Sequence, residues 1–196
     1  IPYTGATQAV DLGAYDLKVN GLTVGRGNGN EASNTAIGNV ALNSNTTGSG
    51  NTATGYRALI NTTTGGNNTA TGSEALSTNT TGSDNTAIGQ FALRNNTTGS
   101  KNTALGNEAD VGSGDLTNAT AIGNGAVVTA SNTIQLGNAS VTNVITSGTV
   151  TAGAVTYPTA HGSANQVLTT TGSGTLTWTT PSSGGGGSGI PYTGAT

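Results

Sequence analysis

The chain has 196 residues, of which 32% are hydrophobic, 4% are aromatic and 7% are charged, and its formal net charge is −3. So few large apolar side chains exclude a conventional thick core, and so few charges exclude the highly charged class of disordered proteins. The 33 glycines, together with threonine, asparagine, serine and alanine, make up much of the remainder. We therefore expect order only where small residues stack regularly and the backbone supplies a continuous hydrogen-bond ladder, as in a solenoid or a fibre.

Composition also excludes several classes of partner. The chain has no cysteine, which excludes disulfides and thiolate metal sites. Its five basic residues are scattered, so no nucleic-acid partner is expected. No apolar run approaches the ~18 residues of a membrane span, so we expect no membrane insertion in this segment. The absence of methionine, and of a signal peptide before Ile1, predicts a processed or internal piece of a longer polypeptide.

Residues 1–30 are predicted to be an N-terminal β-strand segment that leads into the rest of the chain. Apolar and polar residues alternate there in two short runs. Asn20-Gly21 lies between the runs, and this dipeptide is typical of a tight hairpin turn.

Residues 31–130 repeat one motif six times at a constant interval. The copies read NTAIGNVAL, NTATGYRAL, NTATGSEAL, NTAIGQFAL, NTALGNEAD and ATAIGNGAV, and they begin at Asn34, Asn51, Asn68, Asn85, Asn102 and Ala119. A fixed short period is typical of stacked units that bury their apolar faces against neighbours. Glycine, asparagine and threonine disfavour helix. The pattern predicts an all-β fold, a parallel β-roll or β-solenoid of six 17-residue coils, spaced ~4.8 Å apart.

Each motif position has its own predicted role. The alanines at positions three and eight fit an interior too thin for more than a methyl group. The glycine at position five indicates a corner with positive φ or a close backbone approach. Position four and the leucines at position nine are predicted to form a second apolar surface, and the NTTG segments the return turn. The assembly residues are Ala36, Ala53, Ala70, Ala87, Ala104 and Ala121; Gly38, Gly55, Gly72, Gly89, Gly106 and Gly123; and Leu42, Leu59, Leu76 and Leu93.

The second apolar surface needs a cover, because an apolar stripe left on a surface is an interaction site. Identical chains around a rotation axis provide the same stripe as a cover. We therefore expect a homo-oligomer.

The C-terminal third contains small modules. Residues 154–180 include QVLTTTGSGTLTW, a hairpin candidate with Tyr157 and Trp178 as anchors, and residues 181–189 are a Gly/Ser linker. Residues 190–196 repeat residues 1–7 letter for letter. This repeat indicates a super-repeat, an engineered graft, or a donor strand that pairs with the next subunit, and we favour the first and third. The subunit-joining residues are then Ile1, Pro2, Tyr3, Ile190, Pro191 and Tyr192.

Nothing in the sequence indicates an enzyme or a cofactor. His161 is the only histidine and has no acidic neighbour at ligand spacing, so a polar loop residue is expected. The acids are dispersed, and the turn position reads Gly50, Asn67, Asp84 and Lys101, which is no calcium ladder. Glycosylation sequons such as the one at Asn45 arise here by composition, and we interpret them as turns. A threonine at position two in all six copies leaves an ice-binding solenoid as an alternative, although a paired second threonine occurs only at Thr54 and Thr71.

NTAIGNVAL and its copies resemble the head repeats of YadA-like trimeric autotransporter adhesins. The resemblance implies a left-handed parallel β-roll, three of which pack side by side as an intertwined homotrimer. Residues 131–153 contain VTNV and resemble the neck that follows such heads. The NTTGSxNTAxGxxAL units are also similar to phage tail-fibre and bacterial surface-fibre proteins. These likenesses imply a structural subunit of an extracellular fibre or adhesin at the cell surface, with itself and a surface receptor or glycan as partners. The alternative location is a virion tail-fibre shaft.

Overall fold

The structure, a computed structural model, describes residues 16–29, 31–148, 150–152, 155–157, 162–170 and 175–181. These residues fall into two compact units that divide after Thr142. All regular secondary structure in these ranges is β-strand, so the prediction of an all-β protein is confirmed. The strands are β1 (Leu17–Val19), β2 (Leu22–Gly25), β3 (Thr35–Gly38), β4 (Thr52–Thr54), β5 (Thr69–Thr71), β6 (Thr86–Ile88), β7 (Thr103–Leu105), β8 (Asp110–Val111), β9 (Thr120–Ile122), β10 (Val127–Val128), β11 (Ile134–Leu136), β12 (Val150–Ala152), β13 (Val155–Tyr157), β14 (Val167–Thr170) and β15 (Leu176–Thr179).

The first unit is a parallel β-solenoid, as the repeat predicts. Its main sheet has nine strands in the order β1-β2-β3-β4-β5-β6-β7-β9-β11. Strands β3 to β7, β9 and β11 are parallel rungs, whereas β1 pairs with β2, and β2 with β3, in the antiparallel sense. The predicted turn between β1 and β2 is confirmed, because Asn20 and Gly21 both have positive φ (49° and 83°), as a type I′ turn requires.

The register follows the period of the sequence repeat until the last coil. Thr35 pairs with Thr52 and Thr52 with Thr69, whereas Ile134 pairs with Thr120, which is a shorter step along the chain. The final coil is shorter because its return segment contains fewer residues, yet Thr120 N–H still donates to the Thr133 carbonyl at 2.8 Å. The sheet therefore gains a seventh parallel rung within residues 131–153, the segment predicted to be neck-like.

The interior is filled by alanine and leucine together, which corrects one prediction. The position-three alanines are fully buried, and so are Leu42, Leu59, Leu76 and Leu93. These leucines therefore do not belong to the predicted second apolar surface but fill the interior with the alanines. Their φ values lie between 49° and 51°, and this corner breaks the strand alternation, so that positions eight and nine both face inward.

Both reasons for a glycine at position five are present. Gly55 has a φ of 138°, and a Cβ there would lie 2.4 Å from the Gly72 carbonyl oxygen. The same close approach recurs from Gly38 to Gly106. A residue with a side chain would therefore force adjacent coils apart.

The coils are held together on the return side by buried asparagines. The Asn68 side chain donates to the Gly82 carbonyl (2.9 Å) and accepts from the N–H of Asn85 (3.0 Å), and Asn51 and Asn85 make the same pattern one coil away. Buried amides satisfy backbone groups that have no strand partner. Threonine hydroxyls of the NTTG segments add cross-coil bonds, as from Thr80 to the Thr97 carbonyl (3.1 Å).

The NTTG asparagines form the return segment without adopting the left-handed conformation that asparagine tolerates. Asn45 and Asn79 are buried, and their amides donate to the carbonyls of Gly48 (2.9 Å) and Gly82 (3.0 Å). Buried amides that donate to backbone carbonyls favour a structural role for these sequons over glycosylation. From the second copy onward, the left-handed conformation falls on the residue before the motif, as at Asn67 and Lys101, with φ values of 57° and 61°.

The second unit contains two antiparallel hairpins, β12–β13 and β14–β15. The predicted hairpin of QVLTTTGSGTLTW is confirmed in β14 and β15, where Leu168 pairs with Trp178. A Cβ at Gly162 would lie 2.6 Å from the Trp178 ring. The turn at 171–174, His161, residues 182–189 of the Gly/Ser linker and both copies of IPYTGAT lie outside the described residues.

Candidate assembly surface

The outward face of the main sheet carries a file of side chains at position four, with one residue on every strand. Residues of neighbouring strands that pair directly point to the same face. Ile88 is 43% exposed and Leu105 is 47% exposed, and the other apolar residues of the file are similarly exposed. We call this file the apolar row: Leu17, Val24, Ile37, Thr54, Thr71, Ile88, Leu105, Ile122 and Leu136.

The apolar row runs the whole length of the solenoid. It has one residue on each of the nine strands, and nine strands at ~4.8 Å spacing extend about 38 Å. A second outward file lies beside it, at position two, and consists of threonine from Thr35 to Thr120. From β3 to β9 these two files contain only threonine, isoleucine and leucine. The face therefore carries no charge over that length.

Charged and aromatic side chains lie at a different corner. The Arg94 guanidinium carbon is 4.9 Å from the centroid of the Phe91 ring, and both residues line a shallow hollow with Glu108 and Asp110. Glu74 occupies the same motif position as Phe91 one coil earlier. These side chains project from successive coils beside solvent, and they are separate from the apolar row.

Asp110 marks the point at which the coil changes its path. It occupies the leucine position of the motif, and β8 and β10 run extended there, so that Val111 and Val128 take the interior place of leucine. Its carboxylate accepts hydrogen bonds from the N–H groups of Asn95 (3.1 Å) and Val111 (2.8 Å).

The Asp110 carboxylate replaces a backbone acceptor of the regular coil. In an earlier coil the equivalent N–H, that of Ser44, donates to the Ile60 carbonyl at 3.0 Å. Burial raises the pKa of Asp110 to about 6, although the backbone hydrogen bonds and Arg94 act in the opposite direction. Sequence reasoning missed this role, although the replacement of leucine by aspartate was the visible signal.

Potential metal-binding side chains are dispersed over the described ranges. No cluster of three or more potential metal-binding side chains occurs there. Among those residues there is also no helix of sufficient length and apolarity to cross a membrane. The predicted subunit-joining residues are not among them, so that prediction stays a prediction.

The fold defines a β-solenoid repeat protein. No protein-family model, no curated protein and no solved structure matches the chain.

Proposed function

We propose that the chain is a structural subunit of an extracellular fibre or adhesin, in which three copies pack side by side through the apolar row. The observation that carries the proposal is the row itself, half exposed along the entire solenoid. Repeat proteins bury their apolar surface against neighbouring coils. Here the alanines and leucines already fill the interior, so a single chain has no apolar surface left to cover the apolar row.

The size of this face supports an interface. The apolar row extends ~38 Å and the threonine file, ~7 Å beside it, extends ~24 Å, which together give a patch of a few hundred Å². Contiguous apolar patches of that size on a single chain are interaction sites. A cyclic arrangement brings the same narrow patch of each chain to a common axis. The number three and the cell-surface location rest on the likeness to YadA-like head repeats.

The proposed role is mechanical, with neither catalysis nor a cofactor. The parallel ladder and the asparagine ladder both run along the solenoid axis, so a pull along the axis loads many hydrogen bonds at once. Head-to-tail growth of the fibre rests on the repeated IPYTGAT segment. A surface receptor or glycan would bind on the outer corners, and a virion tail-fibre shaft is an alternative setting for the same architecture.

Solution mass and electron microscopy test the proposal. The intact protein should have three times the chain mass of 18.9 kDa and should form filaments. Ile88→Lys places a charge in the apolar row and should yield monomers, because an unpaired charge in an apolar interface is strongly unfavourable. Gln90→Lys is the control, since Gln90 is exposed in the same coil but lies off the row. A monomeric wild type, or an Ile88→Lys protein that still forms trimers, would contradict the proposal.

A second candidate function is ice binding, which the threonine file favours. The six threonines from Thr35 to Thr120 repeat at one strand spacing on a parallel sheet, a regular array of hydroxyl and methyl groups. Thermal hysteresis of the purified protein is the direct measurement, with Thr86→Tyr as the variant that interrupts the array. Absence of hysteresis in the wild type dismisses this candidate.

A further inference from the structure

Two threonines interrupt the apolar row near its middle. Thr54 pairs with Ile37 on one side and with Thr71 on the other, and Thr71 then pairs with Ile88. From β1 to β11 the row reads Leu, Val, Ile, Thr, Thr, Ile, Leu, Ile, Leu. The two hydroxyl-bearing residues form a polar notch, two rungs high, with three apolar levels before it and four after it.

We propose that Thr54 and Thr71 fix the register in which copies of this chain pack in parallel through the apolar row. This inference rests on the proposed function and names the residues that align the chains. The partner is another copy of the same chain, because a face of apolar levels around one notch, without charge from β3 to β9, is complementary to itself. Single polar positions in an apolar seam set register in this way in other oligomers.

When two parallel chains align at equal height, each residue of the apolar row faces the same residue of the other chain. Thr54 then faces Thr54 and Thr71 faces Thr71, and each hydroxyl is both a donor and an acceptor for its counterpart. A slip of one rung places one threonine against Ile37 and another against Ile88. A hydroxyl buried against methyl groups without a partner is unfavourable, so each mismatched level should lower the slipped population about tenfold.

An antiparallel pair also has a solution, but a poorer one. If Thr54 of one chain faces Thr71 of a reversed copy, Ile37 faces Ile88, and the apolar levels match out to Leu17 and Ile122. Leu136 is then left without a partner. The parallel arrangement matches all nine levels and is the one proposed.

Disulfide trapping reads the register directly, because the chain contains no cysteine of its own. In the full-length protein with Ile88→Cys, mild oxidation should link position 88 to position 88. About two-thirds of the chains should become linked in a trimer, because the third thiol has no partner, whereas a dimer would be linked completely. A mixture of Ile88→Cys and Ile122→Cys chains should give almost no mixed product, since that bond needs a slip of two rungs.

Removal of the notch should release the register. Isoleucine already occupies this level in β3, β6 and β9, so Thr54→Ile/Thr71→Ile suits the backbone, and circular dichroism verifies the fold. The mixed 88–122 disulfide should rise at least about tenfold, while the assembly keeps its mass. Thr52→Ile/Thr69→Ile is the matched control, because it adds the same apolar groups in the same coils and leaves the notch intact. In this control, oxidation should give only the 88–88 disulfide and no mixed 88–122 disulfide.

A displaced notch gives an independent test. Thr54→Ile combined with Ile88→Thr moves the notch up by one rung. Chains that carry this pair with Ile122→Cys, mixed with otherwise unaltered Leu105→Cys chains, should form the mixed 105–122 disulfide. If only the 122–122 and 105–105 disulfides formed, with no mixed 105–122 disulfide, the inference would be overturned.

The remaining outcomes separate the inference from the proposed function. A monomeric protein that forms no disulfide at any position refutes the proposed function, and the inference with it. A trimer in which Thr54→Ile/Thr71→Ile still links only 88 to 88 overturns the inference alone. A mixed product of Ile37→Cys and Ile88→Cys chains shows antiparallel packing and also overturns it.

Discussion

The asparagine ladder is the part of the solenoid most sensitive to a single substitution, and Asn68→Ala measures its contribution. The Asn68 amide donates to Asn51 Oδ1 (3.1 Å) and to the Gly82 carbonyl (2.9 Å). Its Oδ1 accepts from the N–H and from the Nδ2 of Asn85, both at 3.0 Å. Alanine removes all four hydrogen bonds in a buried position.

After the substitution, the former partners of Asn68 differ in the hydrogen bonds that remain to them. Gly82 O still accepts from Asn79, and the Asn85 amide still donates to Gly99, but the Asn85 N–H loses the acceptor seen here. A buried donor without a partner costs about 1–3 kcal/mol, and each of the other bonds is worth about 0.5–1.5 kcal/mol net. The expected loss is about 2.5–7.5 kcal/mol, a large share of the ~5–15 kcal/mol by which domains are stable.

Chemical denaturation of the wild type, Asn68→Ala and Asn39→Ala measures this loss. Asn39 is an exposed asparagine on the same solenoid, so its replacement by alanine should shift the free energy of unfolding by less than about 0.5 kcal/mol. A difference of less than about 1 kcal/mol between the two variants would refute the argument that the ladder bears much of the stability.

Three further predictions concern the interior, the corner and the acid. Ala87→Leu should lower the free energy of unfolding by about 1–3 kcal/mol or more and impair assembly, because Ala87 is fully buried, whereas exposed Gln90→Leu should not. Gly72→Ala should cost about 1–3 kcal/mol, since φ is 140° there and the added Cβ would lie 2.3 Å from the Gly89 carbonyl oxygen; Gly148→Ala, with open space around it, is the control. The pKa of Asp110 rises from 3.8 to about 6 on folding, so the carboxyl group loses its proton in the unfolded chain first as the pH rises. The contribution of Asp110 to the free energy of unfolding is therefore greatest below pH 3.8 and declines up to about pH 6. The decline should be no more than about 3 kcal/mol and should vanish in Asp110→Asn, as denaturation at several pH values would show; an unchanged pH dependence in that variant would contradict the assignment.

The solenoid could be predicted because each coil gives the same signal at the same position. A glycine that recurs once in every coil, always with alanine shortly before it, is an unusually specific pattern, and both reasons for that glycine are found at Gly55. The prediction for the leucine column is wrong for an equally physical reason. Strand alternation does not continue through Leu59, where a φ of 51° turns the chain, and sequence alone does not show which β-former sits in a left-handed corner.

The candidate surface was half predictable. The sequence places the position-four file in an outer apolar surface, and residues such as Ile88 do lie there. The extension of this file over β1, β2 and β11 was missed. Leu17 enters through a hairpin, and Leu136 enters through the shortened last coil, which breaks the period. Long-range register of this kind follows from pairing geometry and not from local pattern.

The two ends of the solenoid bear on how a fibre would grow. Each internal rung presents an alanine to the interior, but Gln135 takes that place in β11, and its Nε2 donates to the Gly137 carbonyl at 2.8 Å. At the other end the Asp16 carboxylate lies against Gly25 and accepts from the N–H groups of Arg26 (2.7 Å) and Gly27 (3.1 Å). Polar groups that close both ends of the alanine column are typical of capping units, and direct stacking of two solenoids would bury them. Head-to-tail growth through stacked solenoid ends is therefore unfavourable, and we expect the joint to be formed by the repeated IPYTGAT segments instead.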